Sequence, residues 1–460
     1  MNVDKLKARI NKIVNVSGVS HQHLYDMYFF DGILNRISKS KYKNNFVFKG
    51  GFLLENMKGI DYRTTMDIDL KIEKETLNES NINKIFNEII NVESDDNIEY
   101  KISQIVPIKA GQKYEGLSVC IDGKFFNIKK RFTIDIATGD IVTPYPQKYL
   151  YKSQLLDLNF EMYAYTKETI LAEKFETLVK KGTDNSRYKD FYDIGLLIND
   201  EIDEQKLESA LVNTFINRGT PYNKKYIDEQ INIVLSSNVV KERFEVYKKS
   251  HLFANNISFE NIKEKILKVS NYIKNNENIN LKDYNIDLHI VRHGQDEEDK
   301  LGGWSSNHLT DKGKEEVRNL LGDIDDHYDL FISSDLVRTK ETSLILNSKL
   351  NMEIKYDSDF RETNNGDLKD LTKQEFNEKY NGLYFSSLKM DQCYPNGESP
   401  NQFYKRIKDA FIKLLEENKN KKILLVTHGG VITVIMCLIY GLPYSNLLKI
   451  TPKTGTILKF

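Results

Sequence analysis

The sequence is poor in cysteine and carries almost no net charge. Only Cys120, Cys393 and Cys437 occur in 460 residues, and their wide spacing excludes a disulfide framework and a zinc site. So low a cysteine content fits a reducing compartment. Lys and Arg total 66 against 67 Asp and Glu, so composition gives no sign of a nucleic-acid-binding protein. A local basic patch stays open, because the field of a groove matters more than total charge.

Long apolar runs are also absent. The first residues, MNVDKLKARINKIV, are charged at helical spacing and lack the apolar core of an export signal. The most apolar stretch, 423–440, is interrupted by the sequence THGG, so it predicts a buried strand, a turn and a helix. It does not predict a membrane span. We therefore expect a cytoplasmic protein with no membrane partner.

The length of the chain predicts two to three domains, because one hydrophobic core stops growing before this size. Helical spacing at 1–45 is followed by short β-prone segments, and helical spacing returns from 167 to about 269. The segment 271–285 is rich in Asn and Lys and is the predicted linker. Beyond it, apolar strands alternate with helices, which is typical of an α/β domain with a mainly parallel sheet.

The first motif with chemical meaning is a double glycine followed by paired aspartates. Asp67 and Asp69 lie two residues apart on a predicted strand, so their carboxylates share one face. Carboxylate pairs suit Mg²⁺, and Asp135 on another predicted strand would complete a two-metal site for attack on an α-phosphate. Gly50 and Gly51 would let the backbone approach a triphosphate closely.

Three segments around this motif resemble a known family in their order: FVFKGGFLLENMKGIDYRTTMDIDL, ETILAEKFETLVKK and SRYKDFYDI. They are similar to the AbiEii/AbiGii-type toxins of the DNA polymerase β-like nucleotidyltransferase superfamily, over roughly residues 20–200. The resemblance implies Mg²⁺ at Asp67 and Asp69 and transfer of a nucleotide from an NTP. It also implies a toxin–antitoxin or phage-defence role, a cognate antitoxin, and a tRNA, other RNA or protein acceptor. The residues it places at the nucleotide are Lys49, Gly50, Gly51, Lys174, Lys189, Asp190 and Asp193.

Lys174 and the cluster of Lys189, Asp190 and Asp193 each have a possible role at the nucleotide and a purely structural alternative. Lys174 would counter the triphosphate charge, and Asp190 or Asp193 would position or deprotonate the acceptor. Alternatively, Lys174 lies on an exposed helix face, and Lys189 with the two aspartates forms a salt-bridge pattern along one helix.

The second motif pairs two histidines, each at the end of a predicted strand. His293 follows DLHIVR and His428 follows LLVT, and ligands of open α/β sheets bind at that edge. Arg292 and Arg338 offer forked donors to phosphate oxygens, and Gly429 allows close backbone approach. Neutral His293 can attack phosphorus to give a phosphohistidine. Glu362 is the predicted acid that protonates the leaving oxygen.

This half resembles the histidine phosphatase superfamily, which includes cofactor-dependent phosphoglycerate mutases. The segments HIVRHGQ, LTDKGKEEV, SSDLVRTKET, FRETNNGDLKDLT, YPNGES and LLVTHGG carry the resemblance over about 286–460. It implies His293 as nucleophile, Glu362 as proton donor, a phosphate pocket of Arg292, Arg338 and His428, and no cofactor. Two departures stand out, since Asp299 falls near an expected phosphate-binding Asn and Asp370 replaces a frequent Gly.

Together these features predict a multidomain α/β and α+β protein. A polymerase-β-like nucleotidyltransferase would occupy 1–200, with a helical extension at 201–270. After the linker, 286–460 would form a three-layer α/β phosphatase domain. The leading hypothesis is a bifunctional enzyme that transfers NMP and hydrolyses a phosphomonoester. Two alternatives stay open: the first half is a non-catalytic binding module, or the phosphatase antagonises the transferase.

Overall fold

The computed structural model describes residues 2–108 and 116–460, and the chain divides into two compact units. The first unit comprises Met1–Thr220 with Lys225–Tyr272, and the second comprises Pro221–Lys224 with Ile273–Phe460. Among the described residues, no helix is both long and apolar enough to cross a membrane.

The first unit combines one mixed sheet with two groups of helices. Its elements in chain order are α1 (Val3–Ser17), α2 (His21–Lys39), β1 (Phe46–Lys49), α3 (Gly50–Lys58), β2 (Ile68–Ile72), α4 (Glu79–Ile90), β3 (Glu99–Ile108), β4 (Gly116–Phe125), β5 (Ile128–Ala137), β6 (Gln147–Lys152), β7 (Asn159–Ala164), α5 (Lys167–Lys181), α6 (Tyr188–Leu197), α7 (Glu204–Asn217), α8 (Lys224–Ser236), α9 (Asn238–Ser250) and α10 (Phe259–Ser270).

The sheet of the first unit has the strand order β3-β4-β5-β2-β1-β7-β6. Strand β2 runs antiparallel to β1 and parallel to β5, so it lies near the centre of the sheet. Burial alternates along it: Ile68, Leu70 and Ile72 are buried, whereas Asp69 between them faces the other side. This period of two is that of a strand with one apolar face, and it holds Asp69 away from the packed core.

The second unit is a five-stranded sheet flanked by helices. Its elements are β8 (Asp287–Arg292), α11 (Asp311–Asn319), β9 (Leu330–Ser333), α12 (Val337–Leu350), β10 (Ile354–Tyr356), α13 (Lys373–Lys379), α14 (Pro400–Glu417), β11 (Lys422–Thr427), α15 (Gly429–Tyr440) and β12 (Ile457–Lys459).

The sheet of the second unit has the order β10-β9-β11-β8-β12. Its first four strands are parallel and only β12 is antiparallel. Apolar residues pack on both faces of this sheet, as expected where helices cover a parallel sheet on both sides. The parallel pair β8–β11 brings the carboxyl ends of these two strands to the same edge, and that edge carries both histidine motifs.

The predicted fold class is confirmed, because both units mix helices and strands as expected. Two details differ from the sequence expectation. Strand β2 begins at Ile68, so Asp67 lies in the preceding loop. Much of the predicted linker packs on the second unit, where Asn276 and Ile279 donate backbone hydrogen bonds to the carbonyls of Gly441 and Leu438. Scattered apolar residues within the Asn-rich segment explain this docking.

Candidate functional site

A row of polar side chains crosses the middle of the first unit's sheet. Lys49 on β1 lies opposite Asp69 on β2, Asp69 lies opposite Asp135 on β5, and Asp135 lies opposite Ser118 on β4. Directly opposed residues of neighbouring strands present their side chains on the same face. The register therefore brings Asp69 and Asp135, which are far apart in sequence, into one site with Lys49 beside them.

Asp67 is held at this site by hydrogen bonds within its loop. The Thr65 hydroxyl donates to Asp67 Oδ1 at 2.7 Å, and the Thr65 amide donates to Glu55 Oε2 at 2.9 Å. The other carboxylate oxygen of Glu55 lies 2.5 Å from His23 Nε2. The buried Glu55 on α3 thus fixes the loop that carries Asp67. Glu55 and Thr65 lie within the motif segment that contains Asp67, but the sequence did not indicate their supporting role or the contact with His23.

The carboxylates of the site repel one another. Burial raises the pKa of Asp69, and the nearby Asp67 and Asp135 raise it further, whereas Lys49 and Lys189 act in the opposite direction. Burial likewise raises the pKa of Asp135, against a hydrogen bond from Ser118 at 2.7 Å. A cation between them would relieve this repulsion. The site thus has the charge pattern of a cation site.

The donor set fits Mg²⁺ that is shared with a nucleotide. Within residues 2–108 and 116–460, no three His, Cys, Asp or Glu side chains are arranged closely enough to hold an ion by themselves. Mg²⁺ commonly uses only one or two carboxylates and takes its other ligands from substrate phosphates and water. Asp67 and Asp69 supply such a pair. The place of Asp135 as a third ligand stays a prediction.

Gly50 has a geometric role beside Asp69. Its φ is +74°, in the left-handed region, and a Cβ there would overlap the Asp69 carboxylate. It is also the first residue of α3, whose N-cap residue Lys49 makes no side-chain capping bond. The first amides of α3 thus keep their capacity to bind an anion. Gly50 thus allows the close approach of the Asp69 carboxylate, and the close approach of a phosphate to the double glycine stays a prediction.

We expect Gly50→Ala to lower stability and to abolish any reaction that depends on Asp69. The reason is that it adds a clash with the Asp69 carboxylate to the strain of a positive φ. Gly18→Ala is the matched control, since Gly18 has φ +71° and open space around its Cβ position. Thermal unfolding should place Gly50→Ala below Gly18→Ala by about 1–3 kcal/mol. Equal melting temperatures would contradict this assignment.

Lys174 lies in a buried ionic network and not on an exposed helix face. Its Nζ lies 2.9 Å from Asp190 Oδ1 and 2.6 Å from Asp193 Oδ2. Burial alone would lower the pKa of Lys174, but Asp193 and Asp190 raise it above its usual value. Asp193 also binds Arg63 Nε at 2.9 Å. These ion pairs join α5 to α6 and to the loop before β2, so the network connects separate elements.

The charges in this network decide between the two roles considered for Asp190. Burial would raise its pKa, but Lys174 and Arg187 together hold the pKa below its usual value. A carboxylate with a lowered pKa is a poor general base. The geometry favours Asp190 and Asp193 as positioning groups. Lys189 on the same helix is half-buried and acts electrostatically on Asp69, which brings its charge to the site.

A second ionic cluster surrounds Lys49. Its Nζ lies 3.0 Å from Asp140 Oδ2, and Asp140 Oδ1 lies 3.1 Å from Arg218 Nη2. Arg218 also contacts Glu173 and Glu176 of α5. Local sequence patterns did not indicate a role for Arg218, whose partners Glu176 and Asp140 lie 42 and 78 residues away. This cluster holds Lys49 at the end of β1.

In the second unit, the two histidines end neighbouring parallel strands. His293 follows β8 and His428 follows β11, and their ring centroids are 5.3 Å apart. Both are buried, at 4% and 0% exposure. Burial lowers the pKa of each ring well below its ordinary value, and the charge of Arg338 lowers both further. Both imidazoles are therefore neutral at neutral pH.

The hydrogen bonds of His293 fix which nitrogen is nucleophilic. His293 Nδ1 lies 2.8 Å from the Gly294 carbonyl oxygen. A carbonyl can only accept, so Nδ1 carries the proton and Nε2 keeps its lone pair. His428 Nε2 lies 2.8 Å from the Ser334 hydroxyl. The arrangement leaves one neutral imidazole with a free nucleophilic nitrogen beside a second, anchored one.

Several buried donors at this edge lack hydrogen-bond partners. Among the described residues, Arg292 Nε, Arg338 Nε and His428 Nδ1 have none. The remaining donors of Arg338 are held by Gly303 and Ser305, and Arg292 Nη1 donates to the Pro452 carbonyl at 2.6 Å. Unpaired buried donors cost stability unless a ligand satisfies them. These three are arranged for an anion with several acceptor oxygens.

Glu362 lies next to this pocket, as predicted from the sequence. Its Oε2 accepts from the Gly430 amide at 3.0 Å, and its Oε1 accepts from the Thr363 amide at 3.1 Å. A Cβ on Gly430 would overlap the Glu362 carboxyl, and one on Gly429 would lie 3.2 Å from Arg292 Nε. Because they lack a Cβ, Gly429 therefore leaves space for the Arg292 side chain and Gly430 leaves space for the Glu362 carboxyl.

The acidic run after His293 lies differently from the sequence expectation. Asp299 is exposed, whereas Asp296 is half-buried, with its Oδ2 3.5 Å from Arg338 Nε. The carboxylate beside the phosphate pocket is thus Asp296, because the loop turns Asp299 outward. Asp370, in place of a frequent Gly, adopts φ +61° and accepts hydrogen bonds from the Ser306 amide and hydroxyl. These bonds accommodate a conformation that glycine would favour.

Comparisons with known proteins match each unit to a family. Residues 32–265 match the family described as nucleotidyl transferase AbiEii toxin, type IV TA system, and residues 288–460 match the histidine phosphatase superfamily (branch 1).

Relatives of the second unit include phosphoglycerate mutase-like protein 4 of Arabidopsis thaliana, which is 33% identical over 31% of this chain and 66% of that protein. The chain thus spans just under two thirds of this relative. A probable phosphoglycerate mutase GpmB of Salmonella arizonae is 30% identical over 34% of this chain and 76% of that protein. The solved alpha-ribazole phosphatase of Shigella flexneri covers 38% of this chain and 89% of its own, at 24% identity and a TM-score of 0.35.

The two family matches define an enzyme that joins two different enzyme families in one chain. The chain belongs to the AbiEii nucleotidyltransferase toxin family through its first unit. Through its second unit it belongs to the histidine phosphatase superfamily.

Proposed function

We propose that the second unit hydrolyses phosphomonoesters through a phosphohistidine. His293 Nε2 attacks phosphorus, the ester P–O bond breaks, and Glu362 protonates the leaving oxygen. Water then attacks the phosphohistidine and gives its proton to Glu362. The P–N bond breaks, and inorganic phosphate leaves. Arg292, Arg338 and His428 bind the phosphoryl oxygens throughout, where the developing charge needs donors.

The observation that carries this proposal is the set of buried, unpaired donors around a neutral histidine. Arg292 Nε, Arg338 Nε and His428 Nδ1 make no hydrogen bond among the described residues, although the Asp296 carboxylate lies 3.5 Å from Arg338 Nε. His293 presents a free Nε2 next to them. A purely structural core would satisfy such donors internally. An incoming phosphoryl group satisfies them instead.

We propose that the first unit transfers a nucleotide from an NTP to an acceptor. Asp67 and Asp69 would hold Mg²⁺, which when bound neutralises the triphosphate and orients its α-phosphate for in-line attack. Lys49, Lys189 and the free amides of α3 bind the phosphate oxygens. Lys174 holds Asp190 and Asp193 in place on α6. The opposed register of Lys49, Asp69 and Asp135 supports this function.

We further propose an RNA acceptor, with tRNA as the first candidate, and a toxin–antitoxin or phage-defence role with a cognate antitoxin. The support is the match of the first unit to a toxin family. A protein acceptor is the second candidate, because no basic, aromatic-rich surface stands out in the sequence.

Label transfer tests the proposal for the first unit. The full chain is incubated with Mg²⁺, each labelled NTP in turn, and total RNA or protein. We expect one NTP to label a discrete acceptor, and Asp67→Ala to abolish the labelling. If no acceptor is labelled with any NTP, the first unit is a non-catalytic binding module.

A further inference from the structure

Asp296 places a negative charge inside the phosphate pocket. Its Oδ2 lies 3.5 Å from Arg338 Nε, the same donor that has no hydrogen-bond partner among the described residues. Asp296 also acts electrostatically on Arg292. Arg338 is only 2% exposed, so water screens this interaction weakly. A bound phosphoryl group would have to share Arg338 with an internal carboxylate.

The charges that face this pocket can be followed group by group. Arg292 and Arg338 supply two positive charges, and burial keeps His293 and His428 neutral. Glu362 carries a proton when it acts as the general acid. Two further acids face the same space or its rim. Glu316 acts on Arg292 from α11, but Lys312 lies 3.9 Å from it and balances its charge. Arg406 acts on His428, but Glu398 lies 2.7 Å from it and balances its charge. Asp296 acts on both pocket arginines.

Two arginines alone would balance a doubly charged phosphoryl group. With Asp296 present, one positive charge remains for the ligand. We propose that Asp296 is a specificity-determining residue that biases the pocket toward phosphoryl groups with one negative charge rather than two. This inference rests on the proposed anion-binding role of the second unit. It names the form of substrate that this site would favour: the phosphomonoester monoanion, which carries a proton on a second oxygen and has the same charge as a phosphodiester.

Direct anion binding to the full chain tests this inference without turnover. Calorimetry at about pH 8 compares inorganic phosphate, mainly a dianion there, with the singly charged dimethyl phosphate. The variants are Asp296→Asn, which keeps the shape of the side chain, and Asp296→Ser, which removes most of it. Asp299→Asn is the matched control, because it makes the same charge change on an exposed residue of the same loop. Thermal unfolding verifies that each variant is folded.

We expect both Asp296 variants to bind phosphate about tenfold more tightly and dimethyl phosphate about threefold more tightly, because Coulomb energy scales with ligand charge. Asp299→Asn should change neither. Equal gains for the two anions, unchanged or weaker phosphate binding, or the same effect from Asp299→Asn would overturn the inference. So would the absence of anion binding in every variant. If the expected binding pattern occurs without hydrolysis of any phosphomonoester, the role of Asp296 stands and the proposed hydrolysis fails.

Discussion

His293→Ala is expected to reduce phosphomonoester hydrolysis by about 10⁴-fold or more, because it removes the atom that bonds to phosphorus. His428 cannot replace it, since its Nε2 is engaged with Ser334. The initial rate with an aryl phosphate measures the loss. Rapid quenching under conditions that preserve phosphohistidine should detect the intermediate in the unchanged enzyme only.

His308→Ala is the control for this experiment. His308 belongs to the same unit but is exposed and paired with Glu341, so its loss should leave hydrolysis intact. If His293→Ala kept more than about 1% of the rate, the nucleophile would have to be another group, and the assignment of Nε2 would be wrong.

Asp69→Asn is expected to abolish nucleotide transfer and, without Mg²⁺, to stabilise the first unit. Burial raises the pKa of Asp69, and so do Asp67 and Asp135. A group with a raised native pKa contributes stability at low pH and loses it as pH rises through that pKa. At neutral pH the charged carboxylate therefore costs free energy, which the neutral amide recovers.

Two measurements separate these effects. Transfer of label from an NTP should fall by about 10³-fold or more, as for other losses of a charge-stabilising group, while thermal unfolding without Mg²⁺ should shift upward by about 2–4 °C. Asp61→Asn is the control, since Asp61 is an exposed residue in the loop before β2. A lower melting temperature in Asp69→Asn would show that Asp69 is a structural group and not a strained functional one.

Local sequence patterns predicted where the two histidines lie because each residue directly follows a strand. The strand pattern before His293 and His428 predicted their position at a sheet edge, and the structure brings the two rings within 5.3 Å. The spacing of Asp67 and Asp69 predicted a shared strand face, but Asp67 lies in the loop before β2. Such arguments need only a strand period and a turn, and both are properties of short segments.

The partners of these residues could not be predicted, because they come from distant parts of the chain. Arg63 pairs with Asp193 across 130 positions, and Arg218 pairs with Asp140 across 78. Nothing in the local pattern of either arginine distinguishes it from a solvated one. For a related reason, the sequence pointed to Asp299 beside the phosphate pocket, where the structure has Asp296. The loop has no regular period, so its sequence does not determine which side chains point inward.

The row of Lys49, Asp69, Asp135 and Ser118 has a consequence for synthesis of the chain. Its members belong to four strands, and the pairing of β2 with β5 joins segments made at different times. Domains of growing chains fold as units once their segments have emerged. The centre proposed for nucleotide transfer therefore cannot assemble until β5 and then α6, with Lys189, have left the ribosome. If the first unit transfers nucleotides as proposed, a nascent chain that lacks β5 and α6 lacks part of the centre that does so.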